Sequence, residues 1–345
     1  MKILVVRFKQ IGDAILSSVI CKSLRETYPD AQIDYVLYEH VAPLFEGQSY
    51  VDNVISISKS EQKNIFKYIK RVWKVTREDY DIVIDIMSTP KSELFTFFSK
   101  GAKYRIGRYK PKRGYTYTHK IPEPSNEFDK AEKFLKMLEP LKETEKNLKL
   151  TADYSLEFSK EERENLRKRM EECGVDFSKL IIPLAINSRR PEKVYPVDLM
   201  KKVAEKLLKK YDCQIILYYS PNEMEFAKKF HSDLNNDPRI ISSIKTKSIR
   251  ELGAMLSNCD VFVGNEGGPR HLAQAVNIPS FAIFSPRSSK KDWLSKNNKR
   301  HEGIEPKDLA KDGFENLSYE EKYRLITPDM IIEEVDKKIA LVEKK

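Results

Sequence analysis

Residues 2–38, KILVVRFKQIGDAILSSVICKSLRETYPDAQIDYVLY, decide the fold class. Lys2 to Phe8 is rich in Ile, Leu and Val and reads as a strand. Gln10-Ile11-Gly12-Asp13 reads as a turn, with Asp13 capping the helix that follows. From Ala14 to Tyr28 the apolar residues Ile15, Val19, Ile20 and Leu24 recur at helical spacing, and Pro29-Asp30 stops the run. Gln32 to Tyr38 reads as a second strand. Strand, turn, helix, strand is a parallel βαβ unit.

The same alternation continues outward. The spacing predicts a helix over 64–76, a strand over 82–87, a short strand over 104–107 and a helix over 130–141. Residues 142–158 are charged and lack an apolar period, which places a domain junction there. A charged helix over 160–173, stopped by Gly174, opens a second set. Strands are expected over 180–186, 214–219, 239–242, 261–263 and 280–284. Helices are expected over 197–211, 223–234, 249–257, 269–276 and 328–342. The reading is an α/β protein of two Rossmann-like, doubly wound domains facing across a cleft, with ligands at the carboxyl ends of the strands. The domains run over 1–150 and 151–327, followed by a closing helix segment, 328–345.

Composition bounds the function. The 345 residues suit two domains at roughly 150 each. Apolar residues make up 40% and charged residues 33%, as in a soluble globular protein. Lys plus Arg is 62 against 52 Asp plus Glu, a net charge of +10, which favours an anionic partner. No apolar run approaches the ~18 residues of a membrane span. The opening apolar core, Ile3 to Val6, is too short for a signal peptide. The four cysteines, Cys21, Cys173, Cys213 and Cys259, form no CxxC pair, so a reducing cytoplasm is expected.

Glycine is scarce, at 12 residues, yet Gly264, Gly267 and Gly268 cluster between the strand VFV and a helix opening at Pro269. A proline is preorganised for a first helical turn. Amide N–H groups at such a turn bind phosphate, although a ligand-free tight turn has the same pattern. The spacing is neither GxGxxG nor a Walker loop. In the other half, Asp13 holds the matching position after the first strand. Ser188-Arg189-Arg190-Pro191-Glu192-Lys193-Val194-Tyr195-Pro196 follows the first strand of the second half and carries three cations within five residues, which suits a diphosphate. The one DxD triplet, Asp79-Tyr80-Asp81, precedes a strand and so lies at the edge away from the cleft; it is not expected to hold a metal.

Lys100 to Lys120 holds eight Lys or Arg and no acid, with Tyr104, Tyr109, Tyr115 and Tyr117 interleaved. The pattern suits a polyanion. An acceptor surface using Lys103, Arg105, Arg108, Lys110 and Arg113, a platform for single-stranded nucleic acid, and an exposed loop all fit it.

Together the blocks ILVVRFKQIGDAILSSVICKSLRETYPDAQIDYV, SRRPEKVYP and VFVGNEGGPRHLAQAVNIPSFAIFSP resemble glycosyltransferase family 9, the ADP-heptose:lipopolysaccharide heptosyltransferases. The resemblance implies a GT-B fold, an acceptor-binding first domain, a nucleotide-sugar-binding second domain, and a closing helix that crosses back to the first. It makes Asp13 the catalytic base and Lys193 the lysine on the donor diphosphate, with Arg190 and Ser188 beside it. Glu266, Gly267, Gly268 and His271 match the donor motif, and Glu223 matches the ribose-binding acid. His271 also fits a packed helix position. Glu266 stands where Asp is usual and Gly267 where Ser or Thr is usual.

The expected reaction is an inverting, metal-independent transfer of heptose or a related sugar from ADP-heptose to a lipopolysaccharide inner-core acceptor. No cofactor is expected. The enzyme would be a monomer, cytoplasmic and peripheral on the inner membrane. Other readings are a relative that binds a different nucleotide sugar or does not transfer it, and a nucleic-acid-binding protein suggested by the charge. The latter leaves Asp13 and the glycines unexplained.

Overall fold

The computed structural model describes residues 1–219, 221–295 and 298–342. It divides into two compact units, Met1–Glu157 and Phe158–Lys345.

The first unit is a parallel sheet of β1 (Lys2–Val6), β2 (Gln32–Tyr38), β3 (Asn53–Ile57), β4 (Ile82–Asp85), β5 (Tyr104–Arg108) and β6 (His119–Ile121). Its order is β3-β2-β1-β4-β5-β6. In β1, Leu4 and Val6 point to one face and join a core with Tyr68, Val72, Val75 and Phe95. Ile3 and Val5 are equally buried on the other face. A strand covered on both faces needs no polar alternation, so ILVV reads as an unbroken apolar run. Val6 lies in register with Val36 on one side and Asp85 on the other. The sheet therefore reverses direction between β1 and β4, the switch point where ligands of such sheets bind.

Several local readings are refined. The first helix is Ile11–Thr27 with Gln10 at its N-cap, so Asp13 is the third helical residue rather than the cap. The helix expected over 130–141 is α-helical only over Lys130–Leu135 and then tightens to a 3₁₀ stretch, Lys136–Glu143, that contains Pro140. Proline supplies no N–H for an α-helical bond. The charged segment after 142 is tied to the first unit. Lys149 N donates to Thr27 Oγ1 (3.0 Å) and Thr151 N to Ser23 Oγ (3.0 Å). Lys22 pairs with Asp153 (2.5 Å), and Gln48 exchanges two hydrogen bonds with the Glu157 backbone. These contacts carry the division from 150/151 to Glu157/Phe158.

The second unit repeats the plan with β7 (Leu180–Ala185), β8 (Cys213–Ile216), β9 (Ile240–Ile241), β10 (Phe262–Asn265), β11 (Ser280–Ile283) and β12 (His301–Ile304). The order β12-β11-β10-β7-β8-β9 is the first unit's order with each strand replaced by its counterpart. The switch point falls between β7 and β10. Gly264 sits there at φ +126°, and a Cβ would come within 2.5 Å of the Ala185 carbonyl oxygen, so β10 can approach β7 only with glycine.

The closing helix is Pro328–Ile339. The resemblance implied a crossing back to the first domain, but its apolar face is used within its own unit. Ile331, Ile332 and Val335 enter the core formed around Leu207, Ile215 and Phe281. The helix packs on the helix Val197–Lys210 and on β11.

Candidate functional site

At the carboxyl edge of the first sheet, the turn after β1 brings three charges together. Arg7 Nη2 lies 3.0 Å from Asp13 Oδ2, and Lys130 Nζ lies 2.8 Å from Asp13 Oδ1. The Gln10 amide also donates to Oδ2 (3.4 Å). Burial pushes the Asp13 carboxyl upward, but the two cations outweigh it and hold it below its ordinary range. Arg7 is itself fixed by its guanidinium lying 5.4 Å from the Phe134 ring centre. Asp13 is thus an ionised carboxylate with fixed oxygens and 16% side-chain exposure.

Asp85, at the end of β4, was not singled out from the sequence. It is fully buried and accepts hydrogen bonds from Tyr117 Oη (2.7 Å), Ser88 N (2.9 Å) and Met87 N (3.0 Å). Burial raises its carboxyl to about 6 against the pull of those donors. Through Tyr117 it anchors the basic loop. The Tyr117 ring lies against Gly107, where a Cβ would come within 2.3 Å of it.

That loop divides into structural and exposed cations. Arg105 donates to the carbonyls of Thr116 (2.8 Å), Lys100 (2.9 Å) and Ala102 (2.9 Å). Arg108 is buried and donates to the carbonyls of Lys133 (2.5 Å) and Pro122 (3.4 Å). Both forks hold chain segments together. Lys103, Lys110 and Arg113 are exposed. Tyr104 and Tyr117 are buried, leaving Tyr109 and Tyr115 as the exposed rings. Only two of the four interleaved rings are thus open to stacking.

In the second unit, Lys193 Nζ donates to Glu266 Oε2 (2.9 Å), joining the loop after β7 to the end of β10 across the switch point. Ser285 N donates to Glu266 Oε1 (3.1 Å). Burial raises the Glu266 carboxyl, but Ser288 and Lys193 outweigh it and bring it below its ordinary value. Asn265 accepts the Tyr195 amide (2.9 Å), a second tie between the same two segments that the sequence reading missed. Gly267 then caps the helix Gly268–Ala275. Its backbone is extended, and the nearest atom to an added Cβ is Pro269 Cδ at 3.8 Å. The space beside the helix start is open, so the missing hydroxyl reflects no crowding.

Ser188 is half-buried and Arg190 exposed on the same loop. Ser188 Oγ accepts the Arg190 amide at 3.4 Å. Glu223 ends the short turn Pro221–Glu223 beyond β8, the second strand of this unit. His271 is 5% exposed, with Arg270 Nη2 at 2.9 Å from Nε2 and the Trp293 ring 4.9 Å away. These contacts pack the ring within its own unit. The DxD residues lie at the opposite edge of the first sheet. Tyr80 donates to Asp34 (2.6 Å), and Asp81 accepts the Lys2 amide (2.7 Å).

Two doubly wound units of this topology in one chain are the plan of the GT-B fold. The chain belongs to glycosyltransferase family 9: the model of "Glycosyltransferase family 9 (heptosyltransferase)" matches residues 69–320. The match includes Lys193, Glu223, Glu266 and His271 and begins after Asp13. Lipopolysaccharide heptosyltransferase 3 of Escherichia coli K12 is 25% identical over 284 residues, 79% of each chain. Lipooligosaccharide heptosyltransferase 2 of Haemophilus ducreyi is 23% identical over 357 residues, covering 99% of this chain and 100% of that protein. The structure of the E. coli ADP-heptose lipopolysaccharide heptosyltransferase II superposes with a TM-score of 0.76, 20% identity and 99% coverage of both chains. The protein is a glycosyltransferase.

Proposed function

We propose that this enzyme transfers heptose, or a closely related sugar, from ADP-heptose to an anionic inner-core lipopolysaccharide acceptor, with inversion and without a metal. The relatives' names supply the sugar and the acceptor class. The observation that carries the reading is the convergence of Lys193, Glu266 and the start of helix Gly268–Ala275 at the switch point of the second sheet. A diphosphate fits there, with amide N–H groups and an ammonium in place of a divalent ion. Glu223, after the second strand, is where an acid meets a ribose in folds of this topology.

In the proposed step the acceptor oxygen bonds to the anomeric carbon as the bond from that carbon to the diphosphate breaks. The acceptor proton passes to Asp13, and the electron pair leaves with ADP. An ionised carboxylate held by Arg7 and Lys130 is a weak base, so the proton moves late, once the oxygen has begun to acidify. Lys193, Arg190 and the amides of Gly267 and Gly268 would stabilise the charge gained by the leaving group. Lys103, Lys110 and Arg113 would meet the acceptor's anionic groups. We place the enzyme as a monomer at the cytoplasmic face of the inner membrane.

The test is Asp13→Ala, assayed with ADP-heptose and a truncated core acceptor. ADP binding is expected to persist and transfer to fall by at least a thousandfold; an unchanged rate removes Asp13 as the base. The product's anomeric configuration tests inversion, and full activity after chelation tests metal independence.

A further inference from the structure

The helix Ile65–Thr76 carries a surface that neither sheet edge uses. Tyr68, Val72 and Val75 face the sheet. On the outer side, Phe66 is 82% exposed and Trp73 is 49% exposed. Seven residues apart, they lie on one line of the helix about two turns, or roughly 10 Å, apart. Ile69 lies beside that line, and the exposed Lys67, Lys70 and Lys74 form a parallel row on its other side. From Lys59 to Arg77 there are seven Lys or Arg and one acid, Glu61. Glu61 is turned inward, accepting from Ser58 N (2.7 Å) and Ser58 Oγ (2.9 Å).

Two neighbouring features extend the surface. The helix Glu93–Phe98 packs beside this one on the same sheet face. Its Phe97 is 44% exposed and lies under Lys100 Nζ at 5.3 Å. Because strands in this sheet are parallel, the segments following β3, β4 and β5 all emerge at one edge. Lys91 Nζ reaches across to the Gln62 carbonyl (2.8 Å), and the Lys110–Arg113 loop follows β5 at that edge. Asp13 lies at the same edge.

We infer that the outer face of helix Ile65–Thr76 docks on an anionic phospholipid bilayer. Phe66, Ile69 and Trp73 enter the interface while Lys67, Lys70 and Lys74 meet the head groups. A large exposed aromatic pair bordered by a lysine row and nearly free of acid is the pattern of a helix lying in a membrane plane. A second copy of the chain would bring like charges together, which disfavours self-association through this face. The inference goes beyond the transfer reaction and deepens the membrane placement proposed above, on which it rests, by naming the surface that makes the contact.

The test uses the full chain and vesicles of phosphatidylcholine with or without 30% phosphatidylglycerol. Binding is expected with the anionic vesicles only. The double variant Phe66→Ser/Trp73→Ser should lower partitioning at least tenfold. The triple variant Lys67→Gln/Lys70→Gln/Lys74→Gln should lower it by roughly a hundredfold. Trp73 and Trp293 are the two tryptophans. In Trp293→Phe the remaining emission, from Trp73, should shift to the blue on vesicle addition. No binding by the wild type, wild-type partitioning by either variant, or an unmoved Trp73 emission overturns the proposal. So does loss of oligonucleotide binding in these variants with vesicle binding intact. Transfer to a lipid-free acceptor, measured in parallel, should be unchanged in the Phe66→Ser/Trp73→Ser variant. Vesicle binding without any wild-type transfer would leave this surface standing and remove the functional reading; transfer without vesicle binding would do the reverse.

Discussion

Lys193 and Glu266, 73 residues apart, form an ion pair of 2.9 Å with side-chain exposures of 21% and 5%. The pair holds the lysine at the start of helix Gly268–Ala275 rather than free in solvent. Glu266 carries a buried carboxylate whose desolvation is offset by that lysine and by Ser285.

Lys193→Met should therefore do two things. It removes a cation from the proposed diphosphate site, so ADP should bind at least tenfold more weakly, or about 1.4 kcal/mol. It also leaves Glu266 without its cation, so Tm should fall. Calorimetry with ADP checks the first and a thermal melt the second. Unchanged ADP affinity with a lower Tm would make the pair structural only.

Lys130→Met tests the electrostatics around Asp13. Arg7 and Lys130 hold the carboxyl below its usual range, so the acidic limb of kcat/KM for the wild type should lie below that range. With Lys130 neutralised the limb should move to higher pH. The pH–rate profile of the two enzymes, each with saturating donor, checks this. Coincident limbs would show that Asp13 does not govern the rate.

Asp85 should make stability fall as pH rises. The folded chain keeps its proton to about pH 6, whereas the unfolded chain releases it near 3.8. Between those values the fold binds the extra proton, so the free energy of unfolding declines with pH across that window. The loss is on the order of 3 kcal/mol by pH 7. Asp85→Asn keeps an oxygen for the Ser88 and Met87 amides and cannot ionise. Denaturant melts at pH 4 and pH 7 should show the variant gaining on the wild type at the higher pH. A constant difference would place the proton elsewhere.

The doubly wound plan was legible because β1 is an unbroken apolar run and the first helix lies between clear turn signals, Gly12-Asp13 and Pro29-Asp30, although Ala14–Leu24 is buried all round and shows little one-sidedness. Less was legible where one residue serves two constraints. β12 contains Gly303, where a Cβ would come within 2.6 Å of the Ala282 carbonyl oxygen; packing requires a residue that sequence reading takes as a breaker. The motif residues could be placed at strand ends, but their partners could not. Lys130 reaches Asp13 across 117 positions, and no local pattern announces it. Asp85 looks like any strand-terminal acid until its burial is known. Charge alone also does not distinguish a cation bonded to carbonyls, as Arg105 and Arg108 are, from one facing solvent.

The division at Glu157/Phe158 leaves each sheet, with all its covering helices, encoded by one unbroken stretch of chain. A single recombination point there would exchange an entire half between relatives without cutting through either core. Under the proposed division of labour, chimeras joined at this peptide would inherit donor preference from one parent and acceptor preference from the other.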